Sequence, residues 1–320
     1  MLRSKLLCGA AIALVSAATA GAVSAKESFT TFDPTGSIYT FAAGINTSGT
    51  VAGYYEDSKG VTHGFLRMSD GTITAFDPKG STLTEATGIN ANGDIAGWYR
   101  DGGGTYRSFV RAADGTMTTF NPTKGYEPSM IGLNANGKVA GWYAMFGNQK
   151  AGFVGAPGGK MKQLTVEGVA INGKDVVTGV DGSQGFVRSS SGKTVTFVGP
   201  GSPDTTTPTS INDPGVVAGY DETICGISTG FTRDSSGAVT AVSPPNSYYT
   251  WVMGINDKNA LTGYYYYGAY HGFVRDGSGA FTTFDIATDG TYPQSINTKG
   301  EVTGGYRDSN DVLHGFVGKP

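Results

Sequence analysis

Three histidines are the residues best suited to metal or acid–base chemistry, and they fall in one repeated slot: His63, His271 and His314 each precede Gly-Phe. Three imidazoles on neighbouring copies of a repeat suggest a metal site, but geometry opposes it. The slot lies on a third strand, about 10 Å outside the innermost one. Equivalent positions at that radius stand more than ~8 Å apart and point in parallel, whereas zinc needs its nitrogens at ~2.0–2.1 Å. The histidines are therefore read as structural, with no metal and no cofactor expected. No Ser or Cys lies in a nucleophile setting beside them. Gly102-Gly103-Gly104 lacks the Lys-Ser/Thr of a phosphate loop and reads as a hairpin tip.

Carboxylates and aromatic rings carry more information. Tyr39, Phe41, Tyr126, Tyr248, Tyr249, Trp251 and Tyr292 fall between repeats; Phe146, Tyr266, Tyr267 and Tyr270 fall between second and third strands. Acids in the same segments include Glu56, Asp57, Glu85, Asp101, Glu127, Asp221, Glu222, Asp289 and Asp308. Rings give an apolar platform to a sugar, and carboxylates accept its hydroxyl hydrogen bonds. The candidate ligand-binding set is Tyr126, Tyr248, Tyr249, Trp251, Tyr292, Glu85 and Glu127. The plain alternative is that these rings cap blade ends. The acidic tags Tyr55-Glu56-Asp57, Arg100-Asp101, Asp221-Glu222 and Arg307-Asp308 read as turn formers rather than calcium ligands.

A repeat must position these groups. Asn46, Asn90, Asn134, Asn172, Asn212, Asn256 and Asn297 each follow Ile or Leu, and each has a Gly seven residues later. The spacings are 44, 44, 38, 40, 44 and 41 residues. In the copy from Ala86 to Asn121, a short strand meets an Asn-Ala-Asn-Gly turn. Ile95–Tyr99, Arg107–Arg111 and Met117–Asn121 follow as further strands. Four short antiparallel strands in about 40 residues make one propeller blade. The second strand reads Val-Ala-Gly-Tyr or a close variant, apolar or small on both faces, so both should be covered. Its mid-strand Gly is expected to admit the neighbouring blade. The fourth turn slot, Gly49, Gly93, Gly137, Asp175, Gly215, Asn259 and Gly300, suits a left-handed residue.

The seventh copy ends before its fourth strand. Phe29-Thr30-Thr31-Phe32-Asp33 is identical to Phe281–Asp285, the fourth strand of copy six. The sequence thus predicts an all-β, seven-bladed β-propeller with four antiparallel strands per blade, its ring closed by the N-terminal strand (residues 28–34). Repeats begin near 43, 86, 130, 169, 209, 252 and 294. A β-solenoid is the other repeat fold weighed, and it needs no borrowed strand.

Arg3 and Lys5, the apolar run Leu6 to Ala20 and Val23-Ser24-Ala25 read as a secretory signal over residues 1–25, leaving 26–320 as one propeller domain. Cleavage there removes two positive charges, leaving 21 Lys+Arg against 26 Asp+Glu, a net charge of −5. Such a balance disfavours nucleic acid and anionic lipid. Cys8 would leave with the signal, so Cys225 is expected to be the lone mature cysteine, with no internal disulfide. No other run is long enough to span a bilayer.

Gly44-Ile45-Asn46-Thr47-Ser48-Gly49-Thr50-Val51-Ala52-Gly53, with His63-Gly64-Phe65, His271-Gly272-Phe273 and His314-Gly315-Phe316, resembles the bacterial extracellular HAF repeat. That repeat runs G-I-N-x-x-G-x-V-x-G and then H-A-F. Gly stands here for its Ala, and mostly Val-Arg for the following Leu-Trp. The resemblance covers almost the whole mature chain. It implies an exported propeller and no established reaction. Together these readings predict a secreted or periplasmic monomer that binds a glycan or another cell-envelope component without catalysis. The alternatives are a polysaccharide lyase or hydrolase using loop carboxylates such as Glu85 or Glu127, and a protein-interaction scaffold.

Overall fold

The computed structural model describes residues 28–121, 126–145, 150–201 and 204–320. The proposed signal segment and Phe146 lie outside these residues. Among them, 28 strands form seven four-stranded antiparallel sheets arranged as a ring, a seven-bladed β-propeller. Blade 1 holds β2 (Ser37–Ile45), β3 (Val51–Asp57), β4 (Thr62–Arg67) and β5 (Ile73–Phe76). Blade 2 holds β6 (Ser81–Ile89) to β9 (Met117–Phe120), and blade 3 holds β10 (Pro128–Leu133) to β13 (Met161–Leu164). Blade 4 runs from β14 (Glu167–Ile171) to β17 (Thr194–Phe197), and blade 5 from β18 (Thr205–Ile211) to β21 (Val239–Val242). Blade 6 holds β22 (Tyr249–Ile255), β23 (Leu261–Tyr267), β24 (Ala269–Arg275) and β25 (Phe281–Phe284).

Blade 7 is made from both ends of the chain. To β26 (Thr291–Ile296), β27 (Val302–Arg307) and β28 (Leu313–Lys319) is added β1 (Ser28–Phe32), paired from Ser28↔Lys319 to Phe32↔Gly315. The borrowed strand read from the Phe-Thr-Thr-Phe-Asp identity is therefore present. No helix among the described residues is long and apolar enough to cross a membrane.

The core lies between blades. Phe65, Phe109, Phe153, Phe186, Phe231, Phe273 and Phe316, one per third strand, are fully buried. Each core cluster joins two blades, as where Phe32 of blade 7 packs with Ala42, Ile45, Val51 and Phe65 of blade 1. Seven separate stacking interfaces thus replace one central core.

The repeated Asn earns its place twice over. Its Oδ1 accepts the backbone N–H two and four residues on, as at Asn90 (from Asn92, 3.0 Å, and Asp94, 2.9 Å), which fixes the turn; at Asn212 the residue two on is Pro214, and the Val216 N–H alone is accepted. Its Nδ2 donates to the backbone carbonyl of the next blade's Asn. Asn90→Asn134, Asn134→Asn172, Asn172→Asn212, Asn212→Asn256, Asn256→Asn297 and Asn297→Asn46 follow one another at 2.7–3.0 Å. A belt of amides therefore laces the blades at one end of the channel. The fourth turn residue has positive φ in all seven copies, non-glycine Asp175 and Asn259 included.

The paired Gly departs from expectation. Every innermost strand is bulged, as between Ala42 and Gly44 or Val252 and Gly254. The bulge turns a backbone carbonyl onto the second-strand Gly. A Cβ on Gly53 would overlap the Phe41 carbonyl and sit 2.9 Å from the Phe65 ring. What approaches the glycine is its own blade, not the neighbouring one.

Candidate functional site

Each histidine is held within its own blade end. His63 Nδ1 lies 2.7 Å from Asp77, His271 Nδ1 2.8 Å from Asp285, and His314 Nδ1 2.7 Å from Asp33. Each ring also lies against a second-strand tyrosine, Tyr55, Tyr265 or Tyr306, with centroids 5.2 Å apart. Three separate His–Asp–Tyr units result, each tying the outermost strand to the second. The acidic tags also have turn roles: Asp57, Asp101 and Asp308 each accept backbone N–H groups two and four residues on at 2.8–3.0 Å. Asp221 differs, being fully buried and accepting the Gly201 N–H at 2.5 Å. Burial raises its pKa above the carboxylate norm. Cys225, four residues on, is disulfide-bonded in the full-length chain; the other cysteine of the sequence, Cys8, lies outside the described residues.

The aromatics gather at the opposite end of the channel from the Asn belt. Most of the residues placed in loops by sequence stand on strands instead. Innermost strands begin well before the small-residue run, so Tyr39 and Phe41 lie on β2, Glu85 on β6, Tyr249 and Trp251 on β22, and Tyr292 on β26. Tyr266 and Tyr267 end β23, and Tyr270 lies on β24. Antiparallel pairing simply continues outward past the bulge, carrying these side chains to the channel mouth.

A hollow of about 410 Å³ opens there between blades 6, 7 and 1. Its blade 6 wall is Trp251 stacked on Tyr264 (centroids 5.1 Å) with Tyr270 at 6.0 Å from Trp251. Tyr292 of blade 7 lies 5.3 Å from both Tyr264 and Tyr270. Tyr39 and Phe41 form the blade 1 wall, and both rings stack on Tyr54. Arg307 and Gln294 supply the polar edge. The hollow exists because the slot after the repeated Gly holds Tyr54, Trp98, Trp142, Val180, Tyr220 and Tyr264 but Gly305 in blade 7. Leu313 leans into part of that space, and the rest stays open.

Phe41 and Gln294 also border the central channel, a cavity of about 460 Å³ that Tyr54, Glu85 and Trp98 line. Burial, and then the negative charge of Glu127, pushes the Glu85 carboxyl up to about 7. Burial raises Tyr54 as well, with Glu85 adding to it. At Tyr292 burial raises the pKa while Arg307, hydrogen-bonded to it, opposes the rise.

Of the candidate residues, Trp251 and Tyr292 therefore line the hollow, Tyr249 sits behind Trp251 (6.1 Å), and Glu85 faces the channel with Glu127 near it. Tyr248 pairs with Tyr267 at the exposed outer rim, and Tyr126 packs on Tyr143 in blade 3; neither borders the hollow. Sequence reasoning left Tyr54, Tyr264 and Arg307 out of the set. The first two look like ordinary second-strand core, and Arg307 reads as part of an acidic turn tag. The usable signal was Gly305, where six other blades carry a larger side chain.

The sequence matches no family model and no curated protein. Among solved structures, the chain is similar to virginiamycin B lyase from Staphylococcus aureus, with 13% identity, a TM-score of 0.63 and coverage of 92% of this chain and 100% of that one. It is similar to the β-propeller domain of the Trilobed protease from Pyrococcus furiosus, with 10% identity, a TM-score of 0.63 and coverage of 88% and 95%. TolB from Acinetobacter baumannii shares 13% identity at a TM-score of 0.52, over 74% of this chain and 63% of that one. At these identities the likeness shows a common propeller fold and nothing finer.

Proposed function

We propose that this chain is an exported HAF-repeat protein that binds a glycan of the cell envelope, without catalysis, through the aromatic hollow at the mouth of its channel. The observation that supports this reading is the convergence of Trp251, Tyr264, Tyr270, Tyr292 and Phe41 from three blades around one open hollow, with Gln294 and Arg307 at its edge. Stacked rings that merely capped the blades would leave no space between them; here a sugar face fits against Trp251 and Tyr292, with Gln294 and Arg307 at its hydroxyls. The purified protein is expected to be retained on a glycan array or on peptidoglycan. Trp251→Ala should weaken that binding by roughly tenfold or more, about 1.4 kcal/mol, without moving the thermal midpoint by more than a few degrees. Absence of any retention in both assays overturns the reading.

One observation favours a lyase or hydrolase instead. Glu85 lines the channel next to the hollow, and burial, then Glu127, push its carboxyl up to about 7, the range that suits a general acid or base. If glycan is cleaved, turnover should follow an ionisation near pH 7 and be lost in Glu85→Gln. Bound glycan recovered intact after prolonged incubation rejects this second reading.

A further inference from the structure

The charge on the wall of the hollow narrows the class of glycan, an inference that rests on the binding reading above. Arg307 is the one charged side chain among the residues that line it. Its guanidinium reaches the Tyr292 hydroxyl and lies near enough to Tyr39 to lower that phenol's pKa against the larger effect of burial. Arg307 Nη1 donates to the Asp311 carboxylate (2.7 Å) and to the Asp311 carbonyl (2.9 Å). Asp311 is a turn-tip residue with positive φ, and its side chain is 84% exposed. A guanidinium has five N–H donors, so this exposed pair and Tyr292 leave donors for a ligand.

Three ligand classes fit an aromatic hollow, and Arg307 separates them. A quaternary ammonium would suit the rings but meets a fixed positive charge. A phosphate dianion favours more than one cation, and no lysine or second arginine lines the hollow. A carboxylate matches a single guanidinium fork. Glu85 lines the central channel together with Phe41 and is not among the residues that line the hollow. We propose that the hollow selects a sugar ring that bears a carboxylate, the ring resting on Trp251 and Tyr292 and the carboxylate on Arg307. A uronic acid and a muramic-acid residue both carry that group.

Calorimetric titration of the full chain tests this with an oligouronate, its methyl ester, a muramic-acid glycan fragment and a neutral oligosaccharide of equal length. The acid form of an oligouronate or of the muramic fragment should bind about tenfold more tightly than its uncharged counterpart; which of the two does so identifies the source. Arg307→Gln should erase the preference, acid and ester then binding alike. Asp311→Asn, which removes the carboxylate charge that competes for Arg307, should strengthen acid binding several-fold. Equal affinity for acid and ester, or a preference that survives Arg307→Gln, overturns the proposal. If neutral sugars bind in a Trp251-dependent way without charge preference, only this proposal fails. If no saccharide binds, the glycan reading fails with it.

Discussion

Deletion of Ser28 to Pro34 is expected to lower the thermal midpoint by roughly 10–20 °C, or to prevent folding outright. The segment supplies all of β1, so its loss exposes the β28 edge from Gly315 to Lys319. It also removes Phe29, stacked on Phe284 (4.8 Å), and Phe32, which packs into the interface between blades 7 and 1. Truncating a buried Phe costs about 3–5 kcal/mol, and each kcal/mol moves the midpoint of a chain this size by about 2–4 °C. Asp33 goes too, leaving His314 and Thr40, whose Oγ1 donates to it at 2.6 Å, without that partner. Phe32→Ala alone should account for about half of the effect or more. Differential scanning calorimetry of both variants decides the matter: a truncated protein that melts with the intact one would show that the ring needs no closing strand.

Legibility in the sequence followed physical period. Strand number, turn type and ring closure could be read because each depends on a residue that recurs at a fixed place, such as Asn46 or Gly49 in its turn. The Gly was found but its neighbour was not, because a β-bulge depends on pairing register, which leaves no residue signature of its own. The hollow was legible only in part. Trp251 and Tyr292 stand out as aromatics outside the repeat phrase, whereas Tyr264 hides inside it. Whether an aromatic caps a blade or walls a cavity is set by the residue opposite in the next blade, and that residue is Gly305. Absence of a side chain in one copy carried more about the site than any side chain present.

The two ends of the channel accordingly divide labour. At one end, identical asparagines donate from blade to blade, and the residue after each, Thr47 to Thr298, varies beside them at the channel opening. At the other, the copies differ in ring size, charge and strand length, and a hollow forms where the difference is greatest. A seven-fold scaffold cannot build an asymmetric site except by breaking its own repeat, and blade 7 is where this chain does so.

Substituting the repeated glycines separates scaffold from site. Gly179→Ala in blade 4 places a Cβ onto the Glu167 carbonyl oxygen and 3.0 Å from the Phe186 ring. Neither can retreat, since the carbonyl belongs to the bulged β14 and Phe186 is fully buried. Overpacking of this kind costs about 3 kcal/mol, a fall of roughly 6–12 °C in midpoint. Gly182→Ala, in the hairpin turn three residues past Gly179, with φ +63° and open space around it, should lose about 1 kcal/mol. Gly263→Ala makes the same collision in blade 6, but the carbonyl it strikes is that of Trp251. Gly179→Ala should therefore keep its glycan affinity at temperatures well below its midpoint, whereas Gly263→Ala should lose both stability and affinity as Trp251 is pushed out of the wall. Equal melting of Gly179→Ala and Gly182→Ala would mean that the bulge carbonyl yields. Unaltered affinity in Gly263→Ala would mean that Trp251 does not form the platform on which the ligand rests.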